Sequence, residues 1–215
     1  MRRYSNRWQM TASYLYSRLY GNYSGLASSD ENGRTSPNVN RYFDGLYQSF
    51  DQRGQPVFGL LQTDRPHEVK ITPSYDFRWG TQVGIFYLIE AGTPQQTQVS
   101  EKSIPYYPFG RNDLGRTPVF SQTDLFVQHN FSLPGSRRLN VGVNVTNLFD
   151  QDTVTRLFTT PYRDSLNISD AAFFAGFDTT AVAKATTAIR ADPRFGKPDQ
   201  WQNRRTARLQ LKFVF

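Results

Sequence analysis

Cysteine is absent from the chain, which removes a disulfide framework and every thiolate metal site at once. The absence leaves the compartment open, because a chain without cysteine suits oxidising and reducing surroundings alike. Only two histidines occur, His67 and His129, far apart in sequence. No H-E-x-x-H, C-x-x-C, G-x-S-x-G or P-loop is present. Nothing composes a catalytic constellation, so the expectation is a protein that is not an enzyme, with no cofactor and no metal. Asp30, Glu31, Asn32 and Asp44 could crowd round a cation, but acidic loop residues of this kind are mostly just solvated. No stretch approaches the ~20 apolar residues that a membrane helix needs. A transmembrane barrel is not excluded by that, since its strands alternate lipid-facing and lumen-facing residues and stay polar on average. The start, M-R-R-Y-S-N-R-W-Q-M, has no apolar run behind its arginines and does not read as a secretory signal.

Positive charge is in modest excess: 25 Lys and Arg against 18 Asp and Glu, net +7. The basic residues are scattered, without the clustered stripe that nucleic-acid binding wants, so no nucleic-acid partner is expected. Aromatics, by contrast, are abundant, with 12 Tyr and 17 Phe among 215 residues.

The informative pattern is a period of two. In the last segment, 205–215, Ala207, Leu209, Leu211, Phe213 and Phe215 alternate with Thr206, Arg208, Gln210 and Lys212. That spacing describes a strand with one greasy and one wet face. Five more segments alternate: 8–18, 68–77, 81–91, 121–131 and 138–147. The cleanest is 68–77, where Val69, Ile71, Pro73, Tyr75 and Phe77 oppose Glu68, Lys70, Thr72, Ser74 and Asp76. Pro73 lacks a ladder donor and must sit where that donor is dispensable. Each segment is roughly ten residues, near the ~9–11 of a tilted membrane-crossing strand and longer than the ~5–6 usual in soluble sheets.

The connections alternate long, short, long, short, long: 19–67, 78–80, 92–120, 132–137 and 148–204. In an up-and-down sheet every long loop then falls at one end and every tight turn at the other, as in outer-membrane barrels. Phe77, Trp79, Phe131 and Phe215 cluster at the turn end, and Tyr14 and Tyr16 toward the loop end. In the last long connection Ser169 can cap a short helical turn ending at Gly176, and Asp178 a segment through Ala191. Val182 and Ile189 would pack back on the loops or the barrel mouth. The expected fold is all-β: an antiparallel up-and-down transmembrane β-barrel segment of about six long strands, an incomplete barrel with long outer loops. A soluble β-sandwich binding carbohydrate or protein is the alternative. It would bury one face of every strand in a common core.

Two further segments carry a resemblance. N-V-G-V-N-V-T-N-L-F-D-Q (140–151), then a long loop, then a strand ending in Phe215, resembles the C-terminal end of TonB-dependent outer-membrane receptors. G-R-N-D-L-G-R-T-P (110–118) with Ser121, Gln122, Thr123 and Asp124 after it is similar to the Oar-like branch of that family. The resemblance implies that residues 1–215 are the C-terminal portion of an outer-membrane barrel, without plug domain or signal peptide, taking part in substrate uptake across the cell outer membrane. Implied partners are outer-membrane lipid, the missing upstream strands and plug, the outer-membrane assembly machinery, and an energy-coupling protein reached only through the plug. Leu209, Leu211, Phe213 and Phe215 match the family's C-terminal assembly signal. In the outer loops Arg34, Arg41, Tyr106, Tyr107 and Arg111 are the candidate substrate-binding residues, since guanidinium and aromatic groups suit polar or anionic ligands.

Overall fold

Alternating side chains let a strand satisfy its backbone through its neighbours while sorting apolar from polar groups onto opposite faces. Those segments become the long strands of the computed structural model, which describes residues 2–22, 49–101, 104–135 and 137–215. In chain order the elements are β1 (Arg2–Ser5), β2 (Trp8–Tyr16), β3 (Tyr20–Gly21), β4 (Gly59–Leu60), β5 (His67–Asp76), β6 (Thr81–Glu90) and β7 (Val99–Glu101). They continue with β8 (Ile104–Tyr106), β9 (Phe120–Ser132), β10 (Arg138–Thr146), β11 (Val154–Leu157), α1 (Asp170–Ala175), α2 (Thr179–Ala185), β12 (Pro198–Trp201) and β13 (Thr206–Val214).

Seven strands form one antiparallel up-and-down sheet in the order β1-β2-β5-β6-β9-β10-β13. The sheet is open, so the barrel is incomplete, with β1 at one edge and β13 at the other. All six expected strands are present. The short β1 joins them through a tight turn at Asn6 and Arg7, whose positive φ values of 51° and 69° suit a two-residue hairpin. Four residues are too few to show a period, which is why this strand escaped the sequence pattern. Pro73 sits opposite Met10 of β2, and the β5–β6 ladder is interrupted at Thr72 and Pro73 before resuming in the same register at Ser74↔Gly84. The missing donor therefore costs ladder pairing but shifts no side chain to the wrong face.

Register sorts the faces. Ala12, Ile71 and Tyr87 lie in one row, and Val83, Val127, Val143 and Leu209 in another. One face is thus apolar across β2, β5, β6, β9, β10 and β13, and among the described residues it is uncovered: Leu209 is 69% exposed, Leu211 65% and Val143 38%. None of the buried apolar side chains among the described residues belongs to the seven-stranded sheet. A sandwich needs a second layer on this face, and among the described residues no strand pairs or stacks there. The opposite face carries Thr11, Thr72, Ser74, Asp124 and Asn144, which line a hollow of about 460 Å³ spanning five strands. The polar face is therefore the concave one, and Phe86 and Phe126 are the aromatic side chains in the lining of its hollow.

The tight turns and long loops segregate as the chain order requires. Phe77 N–H bonds the Thr81 carbonyl at 2.7 Å and Leu133 N–H the Arg137 carbonyl at 2.8 Å, closing two short turns at the end where β13 finishes. Gly80 (φ 90°) and Gly135 (φ 75°) supply the backbone those turns need. Aromatics gather there: Phe77 stacks on Trp79 with centroids 4.4 Å apart, and Phe131 lies 4.2 Å from the His129 ring. Tyr14 and Tyr16 flank His67 at the opposite end.

Candidate functional site at the loop end

The dry core of this chain lies in the loops. The described parts of connections 17–66, 91–119 and 147–205 meet at one end of the sheet and pack together. Val99, Tyr106, Leu166, Ile168 and Ala183 form a buried cluster, with Tyr162, Phe173, Phe177, Val182 and Ile189 against it. Tyr106 is edge-on to Phe173 at 5.5 Å, and Phe50 to Phe174 at 5.5 Å, so aromatic residues from all three connections interlock. Burial pushes the Tyr106 hydroxyl well above its ordinary pKa, although its hydrogen bond to Thr179 works the other way.

The helices in the last connection start where expected. Ser169 accepts from Ala172 N–H and Asp178 from Thr180 and Ala181 N–H, two ordinary N-caps. The second helix is shorter than the expected run to Ala191 and stops at Ala185. Beyond it the backbone turns extended at Thr186 and is recruited by another strand of loop. Arg163 N–H bonds the Arg190 carbonyl at 2.9 Å, and Arg190 N–H bonds Asp164 at 2.9 Å. Long-range pairing overrides local helix preference there. Ile189 still reaches the same core as Val182.

The G-R-N-D-L-G-R-T-P stretch acquires a physical role residue by residue. Arg111 lies 4.0 Å over the Tyr107 ring and donates to the Asn22 carbonyl at 2.9 Å. Asp113 accepts from Thr97 N–H at 2.7 Å. Arg116 pairs with Asp64, whose side chain is only 1% exposed, and also donates to the Gly92 carbonyl at 2.7 Å. Asp64 in turn accepts from Leu19 N–H at 2.6 Å. Thr117 accepts from Thr93 N–H at 2.9 Å. One short segment thus ties the first long loop to the second.

The N-L-F-D element is a second clasp. Asn147, at a φ of 52°, is 1% exposed. Its amide nitrogen donates to the carbonyls of Gln151 and Asn203, both at 2.8 Å, and its side-chain oxygen accepts from Gln151 N–H at 3.0 Å. Its backbone N–H bonds Asp124 at 2.8 Å, and Asp150 accepts from Arg205 N–H at 2.8 Å. The exit of β10 and the entry of β13 are thereby locked together. Replacing Asn147 with Ala strands two carbonyls and one N–H, at about 1–3 kcal/mol for each buried group left unmade. Faster amide exchange at Leu148–Gln151 and a lower melting temperature are the expected readouts, with only partial recovery in Asn147→Asp, which keeps the acceptor and loses both donors.

A groove of ≈ 790 Å³ opens on the long loops, lined by Tyr162, Arg163, Ser165, Asn167 and Ser169, with Glu101, Val99 and Ile168 also in its lining. Glu101 is 6% exposed and accepts from Ser165 hydroxyl, Asn167 N–H and Ile168 N–H. Ion pairs brace the same region. Hydrogen bonds from Arg190 hold the Asp164 carboxyl down to about 2, and those from Arg194 hold Asp192 well below the usual carboxylate range. Both folded values lie below the ~3.9 of a free aspartate, so this pairing is fully present above about pH 4 and is lost as pH falls through the folded values. Limited proteolysis of 160–194 is expected to be flat between pH 5 and 8 and to accelerate below about pH 4. Asp164→Asn should remove part of that acid dependence.

The sequence-predicted residues divide. Tyr106 and Tyr107 are 1% and 0% exposed, inside the loop core, and Arg111 is half-buried against Tyr107. Arg34 and Arg41, like the Asp30, Glu31, Asn32 and Asp44 group, lie outside the described residues. Leu209, Leu211, Phe213 and Phe215 stand exposed on the apolar side of the edge strand and the residue that follows it. Sequence reasoning missed Asp64, Glu101 and Arg116 as organisers of the loops. The side-chain partners of Asp64 and Glu101 are 45 to 67 residues away, beyond any local pattern. Among the described residues no group of three or more His, Cys, Asp or Glu is placed to hold a metal.

Comparison with curated proteins finds the TonB-dependent transporter Oar of Myxococcus xanthus, 30% identical over 159 residues. The matched stretch covers 69% of this chain and 14% of the transporter. The chain is therefore a distant relative of a TonB-dependent transporter and matches only a small part of that protein's length. No known family model matches the chain, and no solved structure does.

Proposed function

We propose that this distant relative of TonB-dependent transporters supplies the C-terminal stretch of wall of an outer-membrane β-barrel that takes up a substrate. The observation that carries the reading is the uncovered apolar face across six neighbouring strands, backed by a concave polar face. In water such a face would be a large exposed patch; in a bilayer it is the lipid-facing side of a barrel wall. Among the described residues neither sheet edge has a partner strand, and each unpaired N–H or C=O group there costs several kcal/mol in hydrocarbon. The remaining strands of a larger barrel would satisfy them. On this reading the tight turns face the periplasm and the loop assembly faces outward. Residues 1–215 act as one barrel portion, with a plug and its energy-coupling partner contributed by other sequence.

Within that wall the loop groove and the rim around Arg111 are where solute would first be met. Tyr106 and Tyr107 serve by fixing the shape of the loop that carries Arg111, and Leu209, Leu211, Phe213 and Phe215 serve recognition by the assembly machinery. The experiment is detergent-free refolding against refolding with lipid vesicles. Insertion with protease-protected strands and heat-modified gel migration is the expected outcome. A monodisperse, soluble, folded chain without lipid would favour the sandwich and remove the proposal.

A further inference from the structure

The two ends of the sheet treat their arginines differently. At the loop end Arg65, Arg116, Arg156, Arg190 and Arg194 each pair with a carboxylate. At the turn end Arg7, Arg78, Arg137 and Arg138 are all exposed, and among the described residues none of them forms an ion pair. They occupy all three tight turns of the sheet, which register brings to one end. The turn segments 5–8, 76–81 and 131–138 contain a single acidic residue, Asp76, against these four cations. Unlike scattered surface charge, this is a row of like charges held a strand or two apart, which repel one another unless an anion sits between them.

The row also has an aromatic floor. Trp79 is 64% exposed beside Arg78, and Phe131 and Phe213 are 46% and 52% exposed on the apolar face near Arg138. Aromatic rings at headgroup level with guanidinium groups just beyond them match the layering of a membrane interface, apolar body first and charge in the water. The turn hydrogen bonds use backbone atoms, including the carbonyls of Arg7 and Arg137. The four side chains are therefore not needed to close the turns.

We infer that the tight-turn end is an anionic-lipid docking surface, in which Arg7, Arg78, Arg137 and Arg138 engage the phosphates of acidic phospholipid headgroups. The inference rests on the membrane reading and adds a partner to it. Each arginine near an anionic surface adds to the attraction, so their joint loss is a many-fold change in partitioning.

The test is flotation of the full chain with vesicles of pure phosphatidylcholine and of phosphatidylcholine with 30 mol% phosphatidylglycerol. The parent should partition about tenfold or more better into the anionic vesicles at low salt, and the preference should shrink in high salt. The variant R7Q/R78Q/R137Q/R138Q should lose most of that preference. A control of equal charge change at the other end, R18Q/R53Q/K184Q/R204Q, should keep it. An acidic partner protein instead of lipid would leave the parent indifferent to vesicle composition, which overturns the inference. So would a turn-end variant that keeps the preference, or a control that loses it equally, since either reduces the effect to net charge. Binding to both vesicle types without preference spares the membrane reading and ends only this one. Failure to bind either ends both.

Discussion

Val143→Arg is expected to abolish membrane insertion of the chain. Val143 lies near the middle of β10, on the apolar face, between Val127 and Leu209. An arginine at the bilayer midplane on the lipid side of a barrel costs about 2–4 kcal/mol, a large share of what holds such a sheet in a bilayer. The neighbouring substitution Asn144→Arg puts the same charge on the concave polar face and should insert nearly as the parent does. The pair isolates the direction a side chain points from the propensity of arginine for strands, because both positions share one strand. Equal insertion of the two variants would mean that β10 has no lipid side.

Arg116→Ala should be the most damaging change in the loops. It leaves the buried Asp64 carboxylate without its cation and the Gly92 carbonyl without its donor. Removing one partner of a buried pair costs about 3–5 kcal/mol, mainly through the charge left behind. Because the pair joins the first long loop to the second, the expected result is selective. Protease sites in the loops should open while the sheet keeps its far-UV signal. Asp64→Asn should do less harm, since it removes the buried charge and keeps an acceptor for Leu19 N–H. A larger loss in Asp64→Asn than in Arg116→Ala would contradict this account of the clasp.

These two variants probe the parts of the molecule that sequence revealed most and least. The long strands were legible because each displays several periods of alternation, and the faces followed from register. Leu15, Phe86, Phe126 and Val214 break the alternation, yet they sit on the polar face without shifting it, since pairing is set by the whole ladder. The loops were not legible in the same way. β3, β4, β7, β8, β11 and β12 are two to four residues long, too short to show a period. β3 pairs with β4 and β11 with β12 across long stretches of chain, while β7 and β8 pair only with each other. An aromatic-basic string such as Tyr106, Tyr107 and Arg111 has the same composition whether it greets a solute or fills a core. What distinguishes the two is the burial of both rings, Tyr106 beside Phe173 and Thr179 and Tyr107 under Arg111, which only the folded loops display. The motif residues behave similarly. Asn147 and Arg116 were visible as members of family-like strings, but their work as clasps depends on groups distant in sequence, the Asn203 carbonyl for Asn147 and the Asp64 carboxylate and Gly92 carbonyl for Arg116.

The central claim is that the apolar face of the seven-stranded sheet touches lipid and the polar face does not. The chain has no cysteine, so single cysteines can be placed at will. We would set them at Ile71, Val141 and Leu211 on one face and at Thr72, Asn140 and Gln210 on the other. Each would carry an environment-sensitive fluorophore, with the chain refolded into vesicles containing a lipid-borne quencher. Quenching of the first three labels and silence of their immediate neighbours is the result this account predicts. Labels quenched on neither face, or on both alike, would contradict it.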